Sequence, residues 1–195
     1  TPGSLKIELT TEAGELVNMT DVTTGGELSI MAPGCILING GWYGTKALLQ
    51  AGKTFTAKGQ SFSNALGSVR AEHIVIEASG DITNSESSEL VSRGDVVLSS
   101  TKGVVVNQGD LSVTGVLQMI AQGKLSITED IAAQDVLLQS LSDDVEIISR
   151  VTGESLTRIR VIAKNILCII AGKDVVFGAV ETKSGLETHI VALAH

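Results

Sequence analysis

The sequence predicts an all-β fold, a parallel β-helix with three faces, and three observations carry that expectation. A short pattern recurs along the chain: a Gly or other small residue, a charged residue, then alternating aliphatic and small polar positions. The aliphatic clusters between residues 70 and 139 are mostly seven or eight residues apart, with no helix-length segment between them. Hydrophobic residues make up 43% of the chain while aromatics make up 3%, so the core must be narrow and built from Val, Ile, Leu and Ala.

The clearest copies of the pattern are Gly26-Glu27-Leu28-Ser29-Ile30, Gly109-Asp110-Leu111-Ser112-Val113 and Gly123-Lys124-Leu125-Ser126-Ile127. Looser ones are Gly80-Asp81-Ile82-Thr83, Gly94-Asp95-Val96-Val97-Leu98, Gln134-Asp135-Val136-Leu137-Leu138, Asp143-Asp144-Val145-Glu146-Ile147 and Lys173-Asp174-Val175-Val176-Phe177. In each, Gly and Asp turn the chain, Gly because it tolerates left-handed backbone and Asp because it can bond its own backbone. The residues that follow alternate with the period of a strand. Three corner-and-strand units make a coil of about 21 to 24 residues, and about eight or nine coils fit the chain. A β-sandwich is the rival, but hairpins favour Asn-Gly or Asp-Gly turns, and the one such pair is Asn39-Gly40.

Two stretches interrupt the rhythm. Residues 41–67 hold Trp42, Tyr43, Phe55 and Phe62 with five Gly, which predicts an irregular excursion leaving the stack. Its aromatic pair Trp42 and Tyr43 is the candidate partner contact or the cap on the end of the apolar column. Residues 128–141 carry a partial helical face behind a possible Asp130 cap, but Gln134-Asp135-Val136-Leu137-Leu138 also fits the repeat and is read as strand.

Composition excludes several functions. A net charge of −8 and 14 scattered Lys and Arg do not supply the basic cluster that nucleic acid requires. No run approaches the roughly 18 apolar residues needed to span a bilayer, so membrane insertion is not expected. Thr1-Pro2-Gly3-Ser4 has the look of a cloning remnant, and residues 5–195 are expected to be a single β-helix segment of a longer chain. Cys35 and Cys168 each lie in an aliphatic run and read as two buried, unpaired thiols.

The chemistry-bearing residues are scattered. Asp81, Asp95, Asp110, Asp135, Asp143, Asp144 and Asp174 recur at corners and could align into calcium ligands, yet the calcium-binding nonapeptide is absent and turn-forming Asp needs no metal. No metal, cofactor or catalytic residue is assigned. His73, His189 and His195 are isolated, and Glu72-His73 reads as a solvated corner. Exposed strand positions are expected to hold mainly Ser, Thr, Gln, Asn and Ala, which argues against a cleft of paired carboxylates and aromatics such as glycoside cleavage needs.

The Gly-Asp-Val-Val-Leu, Gly-Asp-Leu-Ser-Val and Gly-Lys-Leu-Ser-Ile units, with the string Ile74-Val75-Ile76-Glu77-Ala78-Ser79-Gly80-Asp81-Ile82-Thr83-Asn84, resemble the filamentous-haemagglutinin family of two-partner-secretion exoproteins, which includes stalks of contact-dependent inhibition toxins. The resemblance covers roughly residues 67–177 and is one of pattern. It implies a right-handed β-helix, export by an outer-membrane transporter to the bacterial cell surface, and a role as a non-catalytic rigid stalk or adhesive surface facing a host or neighbouring-cell receptor. The charged corners at 81, 95, 110, 124, 135 and 144 are spaced less evenly than uniform stacking requires. The alternatives are a carbohydrate-active β-helix enzyme of the polysaccharide lyase or hydrolase kind, and a bactofilin-like cytoskeletal β-helix that polymerises end to end. The apolar C-terminal run Ile190-Val191-Ala192-Leu193-Ala194 is expected to leave one end uncovered and open to end-to-end self-association.

Overall fold

A computed structural model describes residues 3–41, 44–149, 151–152, 155–156 and 158–193. The chain winds as a parallel β-solenoid. Its coils are, in order, β1 (Leu5–Glu8), β2 (Gly14–Asn18) and β3 (Asp21–Thr24); β4 (Leu28–Asn39) and β5 (Ala47–Ala51); β6 (Thr54–Asn64) and β7 (Gly67–Ala71); β8 (His73–Ala78), β9 (Ile82–Asn84) and β10 (Glu89–Ser92). There follow β11 (Val96–Ser100), β12 (Val105–Asn107) and β13 (Asp110–Val113); β14 (Val116–Ala121), β15 (Leu125–Ile127) and β16 (Ile131–Ala133); then β17 (Asp135–Ser140) and β18 (Val145–Ile147). A side hairpin, β19 (Val151–Thr152) and β20 (Ser155–Leu156), precedes β21 (Ile159–Ala163), and β22 (Ile166–Ala171), β23 (Val175–Phe177), β24 (Val180–Ser184) and β25 (Glu187–Ala192) close the order.

The pairings sort these strands into three columns. The first column runs β1, β4, β6, β8, β11, β14, β17, β22, β25, and the second runs β2, β4, β6, β9, β12, β15, β18, β23. The third runs β3, β5, β7, β10, β13, β16, β21, β24. The long strands β4 and β6 serve two columns because they bend instead of breaking. Pro33-Gly34 makes the bend in β4, where the register jumps from Ala32↔Gly59 to Ile36↔Ser61. Pro has no N–H to offer a ladder and is tolerated at such a bulge. All column pairings are parallel, and β19 with β20 is antiparallel.

Alternation then builds the core. On β8, Ile74 and Ile76 are fully buried while His73, Val75 and Glu77 face outward. The same parity holds along the column, so Leu28, Phe55, Ile74, Val96, Leu117, Val136 and Leu167 stack on one another. Each fully buried Leu or Ile stabilises the fold by roughly 1.5–3 kcal/mol in transfer terms. Coil length is not constant: Phe55 lies opposite Ile74, nineteen residues on, while Val136 lies opposite Leu167, thirty-one on. The longer connections fall between the second and third columns, from β4 to β5 and from β18 to β21.

The structure corrects the expected excursion at residues 41–67. Residues 47–51 and 54–64 are the ordinary strands β5 and β6, and between β4 and β5 the described residues 40, 41 and 44–46 lie outside the strands. There Gly40, Gly41 and Gly44 adopt φ of 71°, 84° and 76°, left-handed values that favour Gly. Phe55 and Phe62 are core residues, in edge-to-face contact with centroids 6.4 Å apart at 60°. They fit because their coil is otherwise small inside: Ala57 is buried beside them, and a Cβ on Gly59 would collide with Leu37. Within residues 128–141, residues 131–133 and 135–140 are the strands β16 and β17, and there is no helix.

Candidate functional site

The polar residues of the corners face the neighbouring coil. Asp81 accepts the N–H of Val104 at 3.0 Å, Asp95 that of Val116 at 2.9 Å, Asp130 that of Arg160 at 2.8 Å, Asp135 that of Ile166 at 3.0 Å and Asp144 that of Asp174 at 3.1 Å. In every case the donor is the residue stacked on the Asp one coil further on, which for Asp81, Asp95, Asp135 and Asp144 corrects the expectation that corner Asp bond their own backbone. A charged acceptor makes such bonds stronger than neutral ones. Serines tie the coils in the other direction: Ser92, Ser100 and Ser140 turn inward and donate to the carbonyls of Glu72, Gly80 and Gly123 at 2.7, 2.6 and 2.8 Å.

A second set lies inside. Asn18 Nδ2 donates to Asn39 Oδ1, Asn39 to Asn64, Asn64 to Asn84 and Asn84 to Asn107, each at 2.9 Å. The amides of Asn39, Asn64 and Asn84 also donate to the backbone carbonyls of Ser68, Glu89 and Asp110, at the start of the third-column strands β7, β10 and β13. Asn39, Asn64, Asn84 and Asn107 are buried, so the expectation that Asn belongs to the exposed strand positions is wrong for these four. The sequence contained the signal, one Asn per coil at the C-terminal end of the second-column strand, but it emerges only once the coil lengths are known.

Trp42, Tyr43 and His195 lie outside the described residues. His73 opens β8; its Nδ1 accepts the backbone N–H of Asp95 at 3.2 Å and lies 3.6 Å from the Asp95 carboxylate. His189 meets Glu187 at 3.0 Å within β25. Asp143 pairs with Lys173 at 3.0 Å, and that Lys, first by its hydrogen bond, draws the exposed carboxyl below the usual range. Among the described residues no three His, Cys, Asp or Glu side chains converge as metal ligands, and no helix is long and apolar enough to cross a membrane. Cys35 is buried beside the Thr11 hydroxyl, whereas Cys168 is half-buried on the outward face of β22. The expected pair of buried thiols therefore holds for Cys35 alone.

Two open grooves lie along the third column. The larger, about 750 Å³, is bordered by Gln50, Arg70, Glu72, His73, Val91 and Arg93. Its Arg70 is anchored to Glu89, which also accepts from Ser68 at 2.5 Å; the Ser68 hydrogen bond first and Arg70 second hold the Glu89 carboxyl below its ordinary range. The smaller, about 490 Å³, opens over Ser112 and Ala132 between Asp130, Arg160 and Lys164. Among the described residues bordering them there is no Trp, Tyr or Phe.

Fold and corners together define a parallel β-solenoid. Compared with protein-family models, with curated proteins and with solved structures, the chain matches none.

Proposed function

We propose that this chain is a shaft segment of a large secreted bacterial surface exoprotein similar to the filamentous-haemagglutinin family, non-catalytic and serving reach and presentation. The observation that carries the reading is the use of the corner carboxylates: Asp81, Asp95, Asp130, Asp135 and Asp144 each bind the next coil's backbone. Residues committed in this way stiffen a stack and are not offered to a substrate. The buried Asn ladder adds axial coupling of the same kind. Export by an outer-membrane transporter and contact with a receptor on a host or neighbouring cell belong to the same proposal.

The test is antibody labelling of intact and permeabilised cells of the source organism. Labelling of intact cells at a distance from the outer membrane is expected. Labelling only after permeabilisation would overturn surface display and favour the cytoskeletal alternative. A second reading, a carbohydrate-active enzyme, is favoured by one feature, the groove where Glu72 and His73 meet Arg70 and Arg93. Release of reducing ends from acidic polysaccharides by the purified chain, lost in Glu72→Gln, would establish that reading in place of the shaft.

A further inference from the structure

We infer that the solenoid is divided into two cooperative blocks, the coils through β13 and the coils from β14 onward, by a weak seam between β12–β13 and β15–β16. Four independent features fall on this one boundary. The Asn ladder ends there: the residue stacked on Asn107 is Ile127, whose side chain offers no acceptor, and the buried Asn107 Nδ2 has no hydrogen-bond partner among the described residues. The buried Oγ1 of Thr128, one residue past β15, is likewise without a partner among the described residues. A buried donor or acceptor left unmade weakens the structure that holds it.

The third column narrows at the same level. β10 meets β13 from Glu89↔Asp110 through Ser92↔Val113, and β16 meets β21 from Ile131↔Val161 through Ala133↔Ala163. Between β13 and β16 the ladder consists of Ser112↔Ala132 alone. Leu111 is 7% exposed, where Leu90 and Val69, the residues stacked beneath it, are 1% and 0%, and the smaller groove opens over this junction. Finally, Asp110 on one side acts on Glu129 on the other with like charge, where other outward positions of the column carry opposite-charge pairs such as Arg70 with Glu89 and Arg160 with Asp130.

In a solenoid each coil touches only its neighbours, so stability is close to a sum of coil terms and nearest-neighbour interface terms, and the weakest interface sets where cooperativity breaks. On the N-terminal side, removing a coil that carries an interior rung, Asn39, Asn64 or Asn84, breaks amide bonds to two others. On the C-terminal side, Ile127, Ile147 and Phe177 occupy the ladder position and couple by apolar contact only. Opening therefore releases the C-terminal coils as a unit and leaves the laddered coils folded.

Hydrogen exchange read by mass spectrometry across a urea titration of the unmodified chain tests this. Peptides within residues 116–171 are expected to lose protection together, at a lower urea concentration than peptides within 28–107, with the step at the seam. A single midpoint for all peptides, or a graded loss spreading inward from the C-terminal end with no step between β13 and β14, would overturn the division. Ile127→Asn supplies the missing rung and is expected to bring the two midpoints closer; an unchanged gap would overturn the assignment of the seam to the ladder's end. If Ile127→Asn does not fold, Thr128→Val, which removes the second unpaired group without adding polarity, is read in the same way.

Discussion

Asn84 donates to Asn107 through amide groups 2.9 Å apart, and both side chains are almost wholly buried. Burying an amide is tolerated because each interior rung is both donor and acceptor, so the cost of leaving water is met from Asn39 through Asn84. Breaking an interior rung is therefore more damaging than breaking the first. Asn84→Leu leaves the Asn64 donor and the Asn107 acceptor unmade and is expected to cost about 1–3 kcal/mol for each orphaned group. Asn18→Leu, at a less buried rung with one ladder partner, is expected to cost less. Urea midpoints at constant m-value give both; equal losses would show that the row does not act as a ladder.

The glycines of the corners provide a second test, through close approach instead of backbone freedom. A Cβ on Gly109 would strike the backbone carbonyls of Ser85 and Ser88, while one on Gly3 would meet nothing within 4 Å. Backbone atoms of a stacked coil cannot step aside singly. Gly109→Ala should therefore cost on the order of 1–3 kcal/mol, as overpacking generally does, and Gly3→Ala should leave the thermal midpoint unchanged. Comparable midpoints for the two variants would show that the coils yield more readily than their packing implies.

Much of this architecture was legible in the sequence because a strand column is a local signal. Gly94-Asp95-Val96-Val97-Leu98 fixes a corner, a strand and the inward parity of Val96 and Leu98 within five residues. The partners of the corner Asp were not legible, since the N–H that Asp95 accepts belongs to Val116, one coil away. Phe55 and Phe62 were misleading for the opposite reason. Locally they signalled irregularity, and only the small interior around Ala57 and Gly59 shows why a narrow core admits them. Cys168 looked buried because Leu167 and Ile169 flank it, but with a period of two the residue between two inward side chains must face out.

That outward placement makes a chemical prediction. Thiol reactivity requires access as well as thiolate, so a maleimide reagent is expected to label Cys168 in the folded protein and Cys35 only after unfolding. Peptide mapping after brief labelling distinguishes them. Rapid labelling of Cys35 under native conditions would mean that the coil carrying the Pro33-Gly34 bend opens readily.

Two carboxyls should shape the pH dependence of stability in opposite senses. Glu129 is raised above its ordinary 4.5, by burial first and then by Asp110 and Asp130. The folded state thus binds its proton more tightly, and the stability this gives is present at low pH and declines as pH rises from 4.5 through the folded value. Glu89 is lowered below 4.5 by Ser68 and Arg70; its contribution is present above 4.5 and is lost as pH falls through the folded value. Glu129→Gln should flatten the decline above pH 4.5, and Glu89→Gln should flatten the loss on acidification below it. Melting curves across that range would refute the assignment if either variant left its own arm unchanged.

The last expectation concerns the C-terminal strand. β25 pairs with β22 and with no other described strand. Ile190 stacks in register on the buried Ile169, yet it is 44% exposed, and Phe177 and Leu186 are 39% and 75% exposed. An edge with free backbone groups beside apolar side chains is a template for pairing with another chain. The present chain is therefore expected to self-associate through this end, weakly and with concentration dependence. Ile190 is the residue to change because it lies on the inward row, whereas Val191 stacks on the outward-facing Ile170 and contributes less to the open cross-section. Ile190→Lys places a charge where a second coil would pack, and should abolish association without lowering the protection of amides around Val105. Sedimentation velocity over a wide concentration range tests this; a unmodified chain that stays monomeric throughout, or a lysine variant that associates as before, would exclude the C-terminal edge as a docking surface.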